Sequence, residues 1–248
     1  MSSPNTLVER ISHRVVRTFP GQRIDIEPHR PIVSFSFDDV PVSARVNGAA
    51  TLEKYGARGT FYVSGGIAGG RHDGQIMLST ADYRDLHARG HEIGHHTFSH
   101  RTPWTLGGEY RSDIERNDAY LAGITQRPAR NFAFPYGRSS ISGRDMVKRR
   151  FRSARGVESG VNRLDTDLYL LKSVEMGGQM TARDLVKWVD DAVSAPGWLI
   201  FFTHDVQEQP TAYGTTPAIL DELVAVATSA GCEVLAVDAA LDRLGVPR

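Results

Sequence analysis

The chain has one cysteine, Cys232, in 248 residues. That excludes an internal disulfide and a thiolate metal cluster, so any metal would have to be held by imidazole and carboxylate. Cys232 itself reads as a small buried apolar residue. Charge of one sign is missing too: 29 Lys and Arg balance 29 Asp and Glu. There is no electrostatic footprint for nucleic acid and no basic face for an anionic membrane. Long apolar runs are also lacking. Glu9, Arg10, Arg14 and Arg17 interrupt the apolar pairs of the first thirty residues, and no later window is apolar enough to span a bilayer. With no export signal in view, a cytoplasmic protein is expected. No repeat of fixed period and no low-complexity linker is present, which favours one domain with an N-terminal arm over residues 1–30 and a main body over 31–248.

What is present is an alternation of strand and helix signals. The arm is punctuated by prolines, with a short amphipathic helix expected over Leu7–Thr18. Ile32–Phe37 is a β-branched and aromatic run ending in Asp38-Asp39. A helix over Ser43–Tyr55 leads to a strand at Gly59–Val63. The glycine-rich stretch Ser64–Gly70 is expected to be a mobile loop, because it lacks the G-K-[ST] ending of a phosphate cradle. Ser79-x-x-Asp82 opens a helix that Gly90 closes before a strand at His91–His95. Tyr110, Ile114, Asn117, Leu121 and Ile124 fall at helical spacing, followed by a strand at Asn131–Phe134 and a helix capped at Ser142-x-x-Asp145. Further strands are expected at Phe151–Arg155, Leu168–Val174 and Trp198–Phe202, with the stripe Leu185, Trp188, Val189 and Ala192 on a helix between the last two. A helix from Pro217 to Gly231 precedes a strand from Glu233 that closes the sheet. About seven strands alternating with helices predict an α/β fold with a parallel sheet, doubly wound or closed into a barrel.

In such folds ligands bind where the strands end. Asp38 and Asp39, then His96 and His100, then Pro135-Tyr136-Gly137, then His204 all follow strands, so four polar sets share one rim. The run His91–His100 admits two parsings. From His91 it reads H-E-x-x-H, the helix of a zinc protease; from His96 it reads H-x-x-x-H. Gly90 and Gly94 argue against a continuous helix through His91 and His95. His96 and His100 can share one side of a turn, with Asp39 adding an oxygen and a fourth position left open. Two adjacent aspartates also repel unless a cation offsets them.

Taken together, Ser-Phe-Asp38-Asp39, His96-Thr-Phe-Ser-His100, Phe134-Pro-Tyr-Gly137 and Phe201-Phe-Thr-His204-Asp205 resemble, in order and spacing, the motifs of the polysaccharide deacetylase superfamily, the NodB homology domain. The resemblance covers Ile32 to Leu241. It implies a distorted (β/α)7-type barrel and a metal-dependent hydrolase removing N-acetyl or N-formyl groups from an amino sugar or lipid-linked glycan. Asp39, His96 and His100 would hold a divalent ion, Zn2+ in first place, with Co2+, Ni2+ or Mn2+ as alternatives. Asp38 would be the general base, His204 the general acid, and the Tyr136 backbone N–H an oxyanion donor. The same superfamily also supports cyclic imide or ureide hydrolysis. A catalytically silent glycan-binding protein is the reading from another class, and intact Asp38 and His204 argue against it.

Two departures from the family pattern stand out. Ala133 occupies the place where many members carry an arginine that orients the base; Arg155, ending the next strand, could reach the same rim. No Asp/Trp-containing fourth motif is visible between Gly156 and Gly178, and Glu175 could orient His204 instead. Pro135, Tyr136, Trp104 and Tyr213 are the candidate substrate contacts, whereas Trp188 and Trp198 read as core. His91 and His95 are expected to hydrogen-bond behind the site.

Overall fold

The computed structural model describes residues 16, 18, 21–178 and 180–247. The helix expected over Leu7–Thr18 lies outside the described residues, apart from Val16 and Thr18. Seven parallel strands make the body: β1 Ile32–Asp38, β2 Thr60–Val63, β3 Glu92–His95, β4 Asn131–Ala133, β5 Ser153–Arg155, β6 Val174–Glu175 and β7 Trp198–Thr203. Their order across the sheet is β6-β7-β1-β2-β3-β4-β5. The sheet curls until its edges nearly meet. Leu171 bridges to Arg155, with Leu171 N donating to Ala154 O and Gly156 N to Leu171 O, each at 2.9 Å, and three residues later the same segment joins β7 as β6. The result is the distorted (β/α)7 barrel, in a single domain.

Every residue of β1 is buried, as a central parallel strand requires. Its alternation sets the direction of the chemistry. Phe35 and Phe37 face the surrounding helices, Phe37 stacking on Phe61 at 4.7 Å. Ser34, Ser36 and Asp38 take the other face, where Trp198 Nε1 donates to Ser34 Oγ at 2.9 Å and Ser36 Oγ to Phe201 O at 3.0 Å. The strand is therefore apolar outward and polar inward, and Asp38 is the last inward residue.

The helices close around this barrel. Thr80–Ala88 is opened by the Ser79/Asp82 capping box. Tyr110–Thr125 buries the expected five residues. Ala182–Ser194 buries Leu185, Val189 and Ala192, and Pro217–Ser229 starts on its proline. Among the described residues no helix is long and apolar enough to cross a membrane.

Several expectations are corrected. The helix after β1 is a π-helical stretch, Ala44–Ala49, running into Ala50–Lys54; it can lie on Phe37 because Gly48 has no Cβ, which would sit 2.7 Å from that ring. The cap of the helix Ile141–Lys148 is Ser140 and not Ser142, its Oγ accepting Gly143 N at 3.0 Å. The strand expected over Leu168–Val174 is broken. Asp167 accepts Tyr169 N at 3.0 Å, an Asx turn that bends the chain after Thr166–Asp167, and those two residues pair with Arg23–Ile24. Glu233–Val234 does not close the sheet edge; it pairs with only the first two residues of β1.

The glycine-rich stretch is pinned and not a free loop. Gly65 N donates to Asn117 Oδ1 at 2.9 Å and Gly66 N to Phe98 O at 2.8 Å. Its glycines serve close approach: a Cβ on Gly65 would meet Tyr120 at 2.6 Å, and one on Gly66 would meet Phe98 O at the same distance.

Candidate functional site

The carboxyl ends of the strands bring Asp38, Asp39, His96, His100, Tyr136, Arg155 and His204 to one rim. His96 continues β3, its N–H donating to Val63 O at 3.1 Å. Its ring Nδ1 bonds Ala133 O at 2.8 Å, so Nδ1 carries the proton and Nε2 offers a lone pair. The turn to His100 is fixed from below by Asp113, which accepts Phe98 N at 2.9 Å and Ser99 N at 3.3 Å. Asn117 adds a second tie, donating to Val63 O at 2.9 Å. The sequence marks Asp113 and Asn117 only as helix residues; nothing in their spacing identifies them as supports of the histidine turn.

His100 Nε2 lies 3.2 Å and His96 Nε2 3.8 Å from Asp39 Oδ1. Among the described residues these are the group of three or more donors that converges within 4.8 Å. A tetrahedral ion with bonds near 2.1 Å separates its ligands by about 3.4 Å, so the donor spacing fits one. The protonation states fit as well. Burial lowers the His96 and His100 imidazoles to about 4 and about 3, which keeps both neutral. Asp39 Oδ1 is buried without a hydrogen-bond partner, and burial, reinforced by Asp38, raises its carboxyl despite His96 and His204. A cation at this point would relieve an otherwise uncompensated carboxylate.

Asp38 is treated differently by its surroundings. Burial alone would raise its carboxyl, but Arg155, helped by His96 and His204, holds it below the usual carboxylate value. Arg155 Nη2 donates to both Asp38 oxygens, and its Nη1 donates to Gly156 O at 3.0 Å. The guanidinium also lies 4.5 Å from the Phe202 ring centroid. Arg155 is the register partner of Ala133 across β4 and β5. Partners in a parallel ladder share a height and a face, so Arg155 stands at the level of Ala133 on the neighbouring strand.

His204 Nε2 stands 3.9 Å from Asp39 Oδ2. The expected contact with Glu175 is not made. His204 Nδ1 is buried with no hydrogen-bond partner, and Glu175, its carboxyl raised mainly by burial, senses His204 only through charge. The loop after His204 is tied instead by Asp205, which accepts Thr211 N at 2.9 Å, while His204 N donates to Tyr213 O at 3.1 Å. Tyr213, 57% exposed, lies tilted against His204 with ring centroids 5.5 Å apart; Tyr136, 50% exposed, lies tilted against His100 at 4.7 Å. Pro135 is buried at the start of the turn carrying Tyr136, and Trp104 sits half-buried on the short helix Pro103–Leu106.

His91 and His95 are not part of this constellation. His91 accepts Gly59 N at 3.1 Å and meets Glu53 Oε1 at 3.0 Å; His95 accepts Thr97 N at 3.1 Å and bonds Ile114 O at 3.2 Å. Glu92 turns toward the opposite end of the barrel, to Thr60 Oγ1 at 2.8 Å and Asn131 Nδ2 at 2.7 Å. The zinc-protease parsing is thereby excluded: its histidines and glutamate are all engaged elsewhere.

The polysaccharide deacetylase family model matches residues 25–149, half of the chain. The chain belongs to that family. Among solved structures, a family 4 acetyl xylan esterase from Clostridium thermocellum in complex with a cobalt ion is 23% identical, with 87% of this chain and 93% of that one covered and a TM-score of 0.62. The peptidoglycan deacetylase PdaC from Bacillus subtilis is 18% identical over 88% and 93%, with a TM-score of 0.56. IcaB from Ammonifex degensii is 22% identical over 62% and 70%, with a TM-score of 0.54. No curated protein sequence gives a match.

Proposed function

We propose that the protein is a metal-dependent hydrolase that removes an N-acetyl or N-formyl group from an amino sugar or a lipid-linked glycan. The observation carrying this is the division of labour within one aspartate pair. Asp39 converges with two neutral imidazoles, while Asp38 is kept ionised by Arg155 beside them. Asp39, His96 and His100 would hold a divalent ion, for which imidazole and carboxylate favour Zn2+, with Co2+, Ni2+ or Mn2+ able to substitute. The cobalt ion in the xylan esterase supports such a centre. The ion would supply Lewis acidity toward the acyl carbonyl.

The chain's own residues do the rest. Asp38 accepts a proton from the attacking water, and Arg155 fixes which way its carboxylate points. His204 gives a proton to the departing amine. The Tyr136 backbone N–H donates to the carbonyl oxygen as negative charge develops there. Tyr136 and Tyr213, both half exposed, offer ring faces on which a sugar can stack.

The test is a panel of N-acetyl and N-formyl amino sugars, acetyl esters and cyclic imides, offered to the metal-loaded protein with Asp38→Asn as control. Turnover of an N-acyl sugar that Asp38→Asn lowers by a factor of about 10² or more supports the reading. Equal rates in wild type and Asp38→Asn on every substrate would overturn it, and turnover confined to cyclic imides would replace it.

A further inference from the structure

The site described so far uses one oxygen of Asp39. Oδ1 faces His96 and His100, whereas Oδ2 faces two other imidazoles, His204 at 3.9 Å and His72 at 4.0 Å. Both gaps are too long for a direct hydrogen bond and short enough for one intervening atom. His72 has no place in the sequence motifs. It rides on the hairpin Arg71–His72/Gln75–Ile76, turned by Asp73 at φ 44° and Gly74 at φ 81°.

This hairpin is built onto the site. Met77 N donates to Gly70 O and Gly69 N to Leu78 O, each at 2.9 Å, closing its base; Leu78 N then donates to Val40 O at 3.1 Å, and Met77 bridges to Pro41. The residue after Asp39 is thus the anchor of the arm that carries His72. The His72 ring meets His100 edge-on at 5.2 Å, three-quarters of its side chain is covered, and its Nε2 is buried without a hydrogen-bond partner. A nitrogen desolvated in this way loses hydrogen-bonding free energy unless a ligand restores it. His72 lies outside the converging donor set of Asp39, His96 and His100, beside the other oxygen of the Asp39 carboxylate.

We propose that His72 contacts the bound ligand directly: its Nε2–H donates a hydrogen bond to a ligand oxygen on the Oδ2 side of Asp39, across from His204. In turnover that oxygen belongs to the N-acyl substrate, which rests on the deacylase reading under Proposed function. His72 is then a substrate-orienting residue, brought to the site by a hairpin and not by the end of a barrel strand.

Acetate binding to the Co2+-loaded protein, followed by visible absorption, tests this without turnover. The variants are His72→Ala, His72→Gln and, on the same hairpin, Gln75→Ala, each with its thermal midpoint measured. The expected result is a Co2+ affinity by chelator competition within threefold of wild type and an acetate affinity about tenfold weaker in His72→Ala, partly restored in His72→Gln and unchanged in Gln75→Ala. On an N-acetyl substrate KM should rise more than kcat falls. Unchanged acetate affinity in a folded His72→Ala overturns the proposal, and so, should that variant not fold, does unchanged affinity in His72→Phe, which keeps a ring but no donor. So does a Co2+ affinity weakened tenfold or more, which would make His72 a metal donor. If wild type hydrolyses no N-acyl sugar, the deacylase reading falls and the acetate titration still decides the role of His72; a wild type that retains no Co2+ sinks both.

Discussion

Replacing Arg155 by Met keeps much of the side-chain volume and removes the guanidinium that is bonded to Asp38. The arginine is 1% exposed and Asp38 4%. Removing one partner of a buried ion pair costs about 3–5 kcal/mol, because the other charge is left desolvated. Part of that cost is recoverable. Burial pushes the Asp38 carboxyl up, so without Arg155 it takes up a proton more readily, and each tenfold gain in proton affinity is worth about 1.4 kcal/mol. The direction with pH follows. In Arg155→Met the folded-state value lies above the unfolded one, the native protein binds more protons between them, and stability rises as pH falls through that interval. In wild type the folded value is depressed, so the contribution of Asp38 is present above its unfolded value near 4 and is lost only in more acidic solution. The deficit of Arg155→Met relative to wild type should therefore be largest at pH 7 and shrink by pH 5. Urea unfolding at both values measures it, and Asp38→Asn/Arg155→Met should recover half or more of the deficit by removing the stranded charge. The acidic limb of the kcat/KM profile should move to higher pH in Arg155→Met. A deficit below about 1 kcal/mol at pH 7, unchanged at pH 5, would show that the pair is not coupled as the buried geometry requires.

Other sites give sharper single readings. His204→Ala should slow amide hydrolysis by about 10² to 10⁴ but acetyl ester hydrolysis much less, since an amine leaves only when protonated; equal losses on both would remove the acid role. His95, lowered to about 3 by burial, stays neutral in the fold while the unfolded chain protonates near 6.5. Wild-type stability should thus fall between pH 7 and pH 5 by about 2 kcal/mol more than that of His95→Gln, and parallel unfolding curves for the two would refute this. Gly94→Ala would set a Cβ 2.5 Å from the Tyr62 ring, so a loss of about 1–3 kcal/mol in denaturant is expected, and an unchanged midpoint would contradict the packing.

The main lines of the barrel are legible because each inward strand end carries chemistry that an apolar strand has no other reason to carry. Asp38-Asp39 after Ile32–Phe37, and His204 after Trp198–Phe202, announce both the strand and the direction in which it points. The segment between Arg155 and Gly178 is not legible for the opposite reason. Its strands are two residues long, and the turn at Asp167 is set by a side chain reaching Gly21, 146 residues away in sequence. Gly94 does deny a helix, but helix propensity is an incomplete reason for its presence. The decisive constraint is the Tyr62 ring across the β2–β3 ladder, a contact that local sequence does not contain.

The motif residues at the rim are legible in the sequence, but the backbone conformation that carries them is not. Among the described residues eight that are not glycine have positive φ, and six of these, Asp39, Val40, Asp73, Thr97, His100 and Tyr136, lie in the candidate site or in the hairpin over it. Left-handed backbone costs roughly 1–2 kcal/mol for a residue with a Cβ and disfavours β-branched Val and Thr most. A chain free to relax would place glycine or asparagine there. Instead Asp39 and His100 carry side chains of the converging donor group, Tyr136 sets its ring against His100, the Val40 carbonyl anchors the hairpin and the Thr97 N–H is held by His95. The surrounding ladder and the ties from Asp113 and Asn117 hold these conformations in place, so the strain acts as rigidity at the rim and not as mobility. That rigidity is what keeps the two oxygens of Asp39 facing different pairs of imidazoles, Oδ1 toward His96 and His100 and Oδ2 toward His204 and His72.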